Sequence, residues 1–146
     1  PARGWSIFFL GAAPGVAEQA ASRLLAKYPG LAIVGTENGY FKEEEEKAVI
    51  AKIKALSPHI LFLGLGAPKQ EYFIRRNLKL LGAPVCIGVG GSFDVVAGIK
   101  KRAPILFIKL NLEWLYRLLA EPSRFKRQLA LPRFAWLVLK QKWRGY

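Results

Sequence analysis

Ser6-Ile7-Phe8-Phe9-Leu10-Gly11 is the first apolar run of the chain, and Val16 to Lys27 follows it with alanine and leucine at helical spacing. A short apolar run that ends at glycine favours a buried strand, whereas a 3.6-residue apolar period favours a helix. The same order of strand and helix recurs as far as residue 88. The further predicted strands are 31–34, 59–63 and 84–88, and the further predicted helices are 42–56 and 68–80.

This alternation contains no hairpin signal, so it predicts parallel strands joined by right-handed crossovers. The fold class that follows is α/β, with a parallel, Rossmann-like, doubly wound sheet. The predicted strands stop after Asp94, and the pattern from Pro104 onward is helical. We expect residues 1–103 to form the α/β domain and residues 104–146 to form a helical, basic appendage.

The positive charge of the chain is concentrated in this appendage. Residues 95–146 hold 12 of the 23 Lys and Arg but only two of the 10 acidic residues, together with three of the four Trp. Basic residues mixed with aromatic ones favour an anionic membrane surface. The runs 105–108 and 134–139 are more hydrophobic than a surface that binds the phosphate backbone of a nucleic acid needs to be. Nucleic acid is therefore the less favoured partner.

The helical pattern of the appendage contains a polar stripe. Lys109, Glu113 and Arg117 are four residues apart, so they share one face if a single helix runs through them.

Composition excludes several classes of site. The single Cys86 cannot form an internal disulfide and lies in an apolar run, so we expect a buried, reduced thiol of a cytosolic protein. With one His, one Asp and no spaced Cys pairs, no metal site is expected. No signal peptide and no apolar run long enough to span a bilayer is apparent. The lone His59 begins a strand, at the edge opposite to a ligand crevice, so we interpret it as structural.

All four segments that follow the predicted strands are rich in glycine. In such sheets ligands bind outside the carboxyl ends of the strands. Glycine permits close backbone approach, and the first helical turn after each loop offers free N–H groups to phosphate. The sequence therefore predicts a phosphorylated ligand at the loops 11–15, 35–40, 64–71 and 88–94.

Three side chains in these loops are candidate ligand contacts, each with a structural alternative. Gln70 lies in the first turn after Pro68, where it can bind a diphosphate or sugar, or simply belong to an ordinary capped turn. Asp94 can accept hydrogen bonds from a ribose or base, or cap a helix. Tyr40 can stack on a nucleobase, or cover the core.

A dinucleotide-binding domain is the alternative reading of the same order of elements. The spacing Gly11-x-x-x-Gly15 differs from the G-x-G-x-x-G fingerprint, and Glu37 is only a loose match to the acid that binds ribose. A non-catalytic nucleotide- or dinucleotide-binding, Rossmann-like module therefore remains as a second hypothesis.

Four strings of this sequence resemble the WecG/TagA/CpsF glycosyltransferases, and the resemblance runs from about Ser6 to Arg133. They are Gly64-Leu65-Gly66-Ala67-Pro68-Lys69-Gln70-Glu71, Gly88-Val89-Gly90-Gly91-Ser92-Phe93-Asp94, Arg102-Ala103-Pro104 and Leu112-Glu113-Trp114-Leu115-Tyr116-Arg117-Leu118. The resemblance implies inverting, metal-independent transfer of a hexose such as N-acetylmannosamine from a UDP-sugar to an undecaprenyl-diphosphate-linked sugar. It places the enzyme in synthesis of bacterial cell-surface polysaccharides or teichoic acid.

The resemblance also assigns residues, with no cofactor and no metal. Family members carry a further N-terminal segment whose Asp is proposed as the catalytic base. The 146 residues of this sequence do not include it, so we expect them to be the C-terminal portion of such an enzyme and to be inactive alone. The implied uridine contacts are Gly39, Tyr40 and Asp94. Gln70 is implied in the active-site pocket, with Gly11, Gly66 and Gly91 allowing close backbone approach. The implied diphosphate-binding residues of the appendage are Arg117, Arg124 and Arg127.

The spacing of these three arginines agrees with a shared role. Offsets of seven and ten residues place them within roughly 80° on one face if the helix is continuous, although Pro122 interrupts that pattern. A solvated basic face is the alternative. Guanidinium groups suit diphosphate because each donates two hydrogen bonds at once and stays charged.

The prediction is thus a cytoplasmic enzyme that is peripheral on the inner face of the cell membrane. Its expected partners are a UDP-sugar, an undecaprenyl-diphosphate-linked acceptor and an anionic membrane surface, and a homo-oligomer is left open as an alternative.

Overall fold

The computed structural model describes residues 4–101, 103–120, 134, 136–138 and 140–141. The chain divides into two compact units, Pro1–Lys101 and Arg102–Tyr146. The first unit contains β1 Ser6–Gly11, α1 Val16–Lys27, β2 Ala32–Glu37, α2 Glu43–Leu56, β3 Ile60–Gly64, α3 Lys69–Leu81, β4 Val85–Gly88 and α4 Ser92–Val96. The second unit contains α5 Ile105–Lys109 and α6 Glu113–Ala120.

The four strands form one parallel sheet in the order β2-β1-β3-β4. Successive residues of a strand point to opposite faces, so the central strands supply two cores. On one face Phe8 of β1 and Leu61 of β3 pack with α2 and α3. On the other face Phe9 of β1 packs with α1 and with Phe93 of α4. Helices on both faces of a parallel sheet confirm the predicted doubly wound α/β fold.

The observed elements depart most from the predicted bounds in two places, and elsewhere the ends differ by about one residue. Strand β2 continues to Glu37, so the second glycine-rich loop is shorter than expected. The fourth loop contains the short helix α4, which begins directly after Gly91. The carboxyl ends of the strands nevertheless carry all four loops, as the sequence indicated.

At the amino ends of the strands, opposite to the glycine-rich loops, the lone histidine links β1 to β3. His59 accepts a hydrogen bond from the backbone N–H of Ser6 at Nδ1, 3.1 Å away, and its own N–H donates to the Ser6 carbonyl at 2.9 Å. Since Ser6 begins β1 and His59 directly precedes the neighbouring strand β3, this pair aligns their amino ends, which agrees with a structural role.

The second unit corrects the prediction of one long helix with a polar stripe. The chain breaks between α5 and α6 because Asn111 adopts a left-handed conformation, with φ of 56°. Lys109 therefore ends one helix while Glu113 begins the next, so Lys109 does not continue the helical spacing of Glu113 and Arg117, which both belong to α6. Among the described residues, no helix is both long and apolar enough to cross a membrane.

Candidate functional site

The candidate site lies at the carboxyl ends of β1 and β3. In the order β2-β1-β3-β4 the chain leaves these neighbouring strands toward opposite faces, to α1 and to α3. Such a switch point opens a crevice in which ligands bind.

Backbone hydrogen bonds fasten the loops at this edge to one another. Ala12 N–H donates to the Gly64 carbonyl at 3.0 Å, and Gly39 N–H donates to the Ala12 carbonyl at 2.9 Å. On the other side, Val89 N–H donates to the Leu63 carbonyl at 2.7 Å. The segments after β1, β2, β3 and β4 thus form one connected rim.

Two of the predicted glycines are required by packing within this rim. A Cβ added at Gly11 would lie 2.4 Å from the carbonyl carbon of Gly64, and the φ of Gly11 is +137°. A Cβ at Gly39 would lie 2.8 Å from the Leu65 side chain and 3.1 Å from the Gly11 Cα. Gly66, by contrast, has a φ of +77° with open space around it, so it leaves room beside the crevice.

Gln70 connects the start of α3 to the loop after β4. Its side chain is only 6% exposed. Its carbonyl oxygen accepts a hydrogen bond from Gly90 N–H at 3.1 Å, and its amide donates to the Glu71 carboxylate at 2.8 Å. Because the amide also lies against Gly88, where a Cβ would come within 2.4 Å, Gln70 holds the last glycine of β4 and the following turn in place.

Asp94 and Tyr40 are accessible to a ligand. Asp94 is in α4 and half-buried, and its carboxylate forms no hydrogen bond or ion pair with the residues that the structure describes. Tyr40 is 76% exposed, so its ring does not cover the core. Tyr40 N–H donates to the Asn38 side-chain oxygen at 2.8 Å, which fixes the turn that carries the ring.

Glu37, the acid of the dinucleotide hypothesis, is engaged by protein groups. One carboxylate oxygen lies 2.7 Å from Lys52 Nζ, and the other accepts from the Asn38 backbone and side-chain amides. Beside this pair an open cavity of about 340 Å³ extends along α2. Its lining residues are Glu37, Asn38, Tyr40, Phe41, Glu45, Ala48, Val49 and Lys52.

The part of the chain that the structure describes holds no group of three or more His, Cys, Asp or Glu residues arranged to bind a metal. Cys86 is half-buried on β4, and burial raises the pKa of its thiol. A raised pKa keeps the thiol protonated at neutral pH, which disfavours a nucleophilic role.

We therefore expect iodoacetamide to modify Cys86 several-fold more slowly in the native chain than in urea at pH 8, because only the thiolate reacts and burial limits its formation. Mass spectrometry of timed, quenched samples measures the two rates. Equal rates would mean that β4 leaves this thiol accessible.

The model of the glycosyl transferase WecG/TagA/CpsF family matches residues 1–146. The chain belongs to the WecG/TagA/CpsF family. The expected resemblance is therefore confirmed over the full chain.

Two curated WecG/TagA/CpsF relatives carry the same name, N-acetylglucosaminyldiphosphoundecaprenol N-acetyl-beta-D-mannosaminyltransferase. The protein of Bacillus spizizenii (strain W23) is 43% identical over 136 residues, and that of Bacillus subtilis (strain 168) is 42% identical over 137 residues. Each alignment covers 93% of this chain and 52% of the relative. The chain thus spans about half the length of these relatives.

The structure brings the predicted site residues of this family member together only in part. Gly11, Gly39, Gln70 and the turn before Asp94 belong to one connected rim. Arg117 belongs to α6 of the second unit, while Arg124 and Arg127 lie outside the described residues.

Sequence reasoning predicted neither the hydrogen bond between Gln70 and Gly90 nor a second side-chain contact of this rim. Lys69 donates from Nζ to the Gly39 carbonyl at 3.1 Å. The only feature of the sequence that pointed to this contact was the position of Lys69 beside Gln70.

Proposed function

We propose that this chain binds the UDP-sugar of an enzyme that transfers a sugar resembling N-acetylmannosamine to an undecaprenyl-diphosphate-linked acceptor. The reaction would be inverting and metal-independent, in the synthesis of bacterial cell-surface polysaccharide or teichoic acid. The observation that carries the proposal is the β1/β3 switch point, with Asp94 and Tyr40 accessible beside it. The family membership and the names of the two relatives support the same chemistry.

In this proposal the nucleotide is bound through both of its chemical parts. Tyr40 stacks on the uracil ring, and Asp94 accepts hydrogen bonds from ribose hydroxyls, for which its carboxylate has free acceptor sites. Gln70 lies in the pocket and keeps one amide N–H for the transferring sugar or the diphosphate. Departure of UDP places negative charge on the diphosphate, which Arg117, Arg124 and Arg127 would stabilise.

The second unit is proposed to bring the enzyme to its lipid-linked acceptor. Ile105 and Leu106 of α5 are mostly exposed, as is Leu119 of α6, and Trp114 of α6 is half-exposed. Farther along, Lys140 Nζ lies 4.8 Å from the Trp136 ring centroid, so a cation and an indole occupy one surface. Such a surface suits anionic headgroups and would place the protein on the cytoplasmic side of the membrane.

Isothermal calorimetry with UDP, the UDP-sugar and NAD tests the nucleotide proposal. We expect this chain to bind UDP and not NAD, because Glu37 is already held by Lys52 and Asn38. Binding of NAD without binding of UDP would instead support the dinucleotide module.

We expect the chain to float with anionic vesicles at low salt and to be released as salt screens the charges. A chain truncated after Leu131 lacks Trp136 and Lys140 and should lose this binding. Neutral vesicles are the control. Equal flotation of the intact and truncated chains would remove the C-terminal residues from the membrane role.

In a full-length version that carries the N-terminal segment of the family, we expect Gln70→Ala to lower turnover by about 10²-fold with a smaller loss of UDP affinity, since the contact to the sugar counts mainly in the transition state. Gln70→Glu is a matched variant that keeps the acceptor for Gly90 N–H. Steady-state kinetics with UDP as competitive inhibitor separates the two effects. Normal turnover in both variants would reduce Gln70 to a structural residue.

A further inference from the structure

The two residues on either side of Tyr40 both contact one side chain from the start of α3. Lys69, in the first turn of α3, donates from Nζ to the carbonyl of Gly39 at 3.1 Å. The same ammonium lies over the ring of Phe41, 5.3 Å from its centroid. Tyr40 is thus bracketed by two contacts to Lys69, although its own ring is exposed.

Gly39 and Phe41, the two residues that Lys69 contacts on either side of Tyr40, are each held by a further contact. The Phe41 ring meets the buried Phe73 of α3 edge-on, with centroids 6.0 Å apart. Gly39 is held from below by its N–H bond to Ala12. Two separate contacts therefore join α3 to the turn after β2. One is made by Lys69, and the other is the contact of the Phe73 ring with Phe41.

We propose that Lys69 is a positioning residue that fixes the direction of the Tyr40 ring, and thereby sets the affinity for the nucleoside part of the ligand. The inference rests on the proposed function, since it deepens the role of Tyr40 in binding uridine. An ammonium group suits this task because it can donate a hydrogen bond to a carbonyl and lie over an aromatic face at once.

The rival explanation is a direct contact between Lys69 and the diphosphate. The two explanations differ in which ligands bind more weakly when the ammonium group is removed. A positioning residue affects uridine and UDP by the same factor, because both carry the base. A diphosphate contact affects UDP alone.

The test compares Lys69→Met, which keeps the length of the side chain and removes the charge, with Lys69→Arg, which keeps donor and charge. Lys79→Met is the matched control, because Lys79 is an exposed lysine in the last turn of the same helix. Nuclear magnetic resonance titrations with uridine and with UDP give the dissociation constants. We expect Lys69→Met to raise both constants by about 5- to 20-fold, Lys69→Arg to restore most of the affinity, and the control to change neither.

A double-mutant cycle shows whether Lys69 acts through Tyr40. In a Tyr40→Ala background we expect Lys69→Met to cause less than about a 2-fold further loss, since the ring that it orients is gone. Full additivity of the two losses would overturn the proposal, as would a loss for UDP without a loss for uridine.

Amide exchange of the unliganded chain separates this inference from the proposed function. We expect the Tyr40 N–H, which donates to Asn38, to exchange about 10-fold faster in Lys69→Met than in the unaltered chain or in Lys79→Met. If exchange is unchanged in a chain that binds UDP, the proposed role of Lys69 is overturned and the proposed function stands. Faster exchange in a chain that binds neither uridine nor UDP would support the bracket and overturn the nucleotide proposal.

Discussion

Gly11→Ala is expected to lower the free energy of unfolding by about 3–5 kcal/mol, a large share of the stability of a domain of this size. Two costs combine at this position. A φ of +137° is strained for any residue with a Cβ, and the added carbon would overlap the backbone of Gly64 at 2.4 Å. Neither strand can move aside, because β1 and β3 are hydrogen-bonded along their length up to this pair.

Gly15→Ala is the matched control for the steric part of this effect. Gly15 also has a positive φ, +81°, but nothing lies within 4 Å of the position its Cβ would take. We therefore expect a cost of only about 1–2 kcal/mol, from the conformation alone. Urea denaturation of the three proteins, followed by circular dichroism, measures the difference. Similar midpoints for both variants would show that the approach of β1 to β3 is not tight.

Asp94→Ala is expected to raise the dissociation constant for UDP by about 10- to 100-fold, which is the usual value of charge-assisted hydrogen bonds. The folded chain should lose little stability, because the described residues offer the carboxylate no partner whose loss would matter. The backbone carbonyl of Asp94, which accepts hydrogen bonds from the N–H groups of Ile99 and Lys100, is kept in the variant. Calorimetry with UDP and a thermal melt measure the two quantities.

Asp94→Asn is the isosteric control, since it retains an acceptor oxygen and loses the charge. It should show an intermediate affinity. An Asp94→Ala chain that binds UDP as tightly as the unaltered chain would place the ribose elsewhere along the rim.

The alternating elements and their two faces were predictable because each strand of this sheet is a short apolar run. Phe8 and Phe9 are buried on opposite faces, and that continuous burial is what distinguishes such a strand from a half-exposed one. Helix α4 was less predictable, because the residues around its start, Gly90-Gly91-Ser92, have the composition of a loop. The break at Asn111 was hidden for a similar reason, since its only signal is one residue type that tolerates the left-handed region.

The candidate site was predictable as a set of loops and unpredictable as a set of contacts. The rule that ligands bind at the carboxyl ends of parallel strands places the loops without any knowledge of side chains. The bond from Gln70 to Gly90 and that from Lys69 to Gly39 each join residues 20 or 30 positions apart. No local pattern encodes such pairings, because they depend on where the crossovers place each loop.

The position of β1 in the middle of the sheet has a consequence for how the chain is made. Ser6 of β1 meets its partner His59 only across 53 positions of sequence. At a synthesis rate of about 5–20 residues per second, β3 emerges roughly 3–10 s after β1. During that delay the apolar run 6–11 has one edge without its eventual neighbour, which is the condition under which nascent chains aggregate. The strand that leads into the candidate site is therefore also the segment that a ribosome-associated chaperone would have most reason to shield.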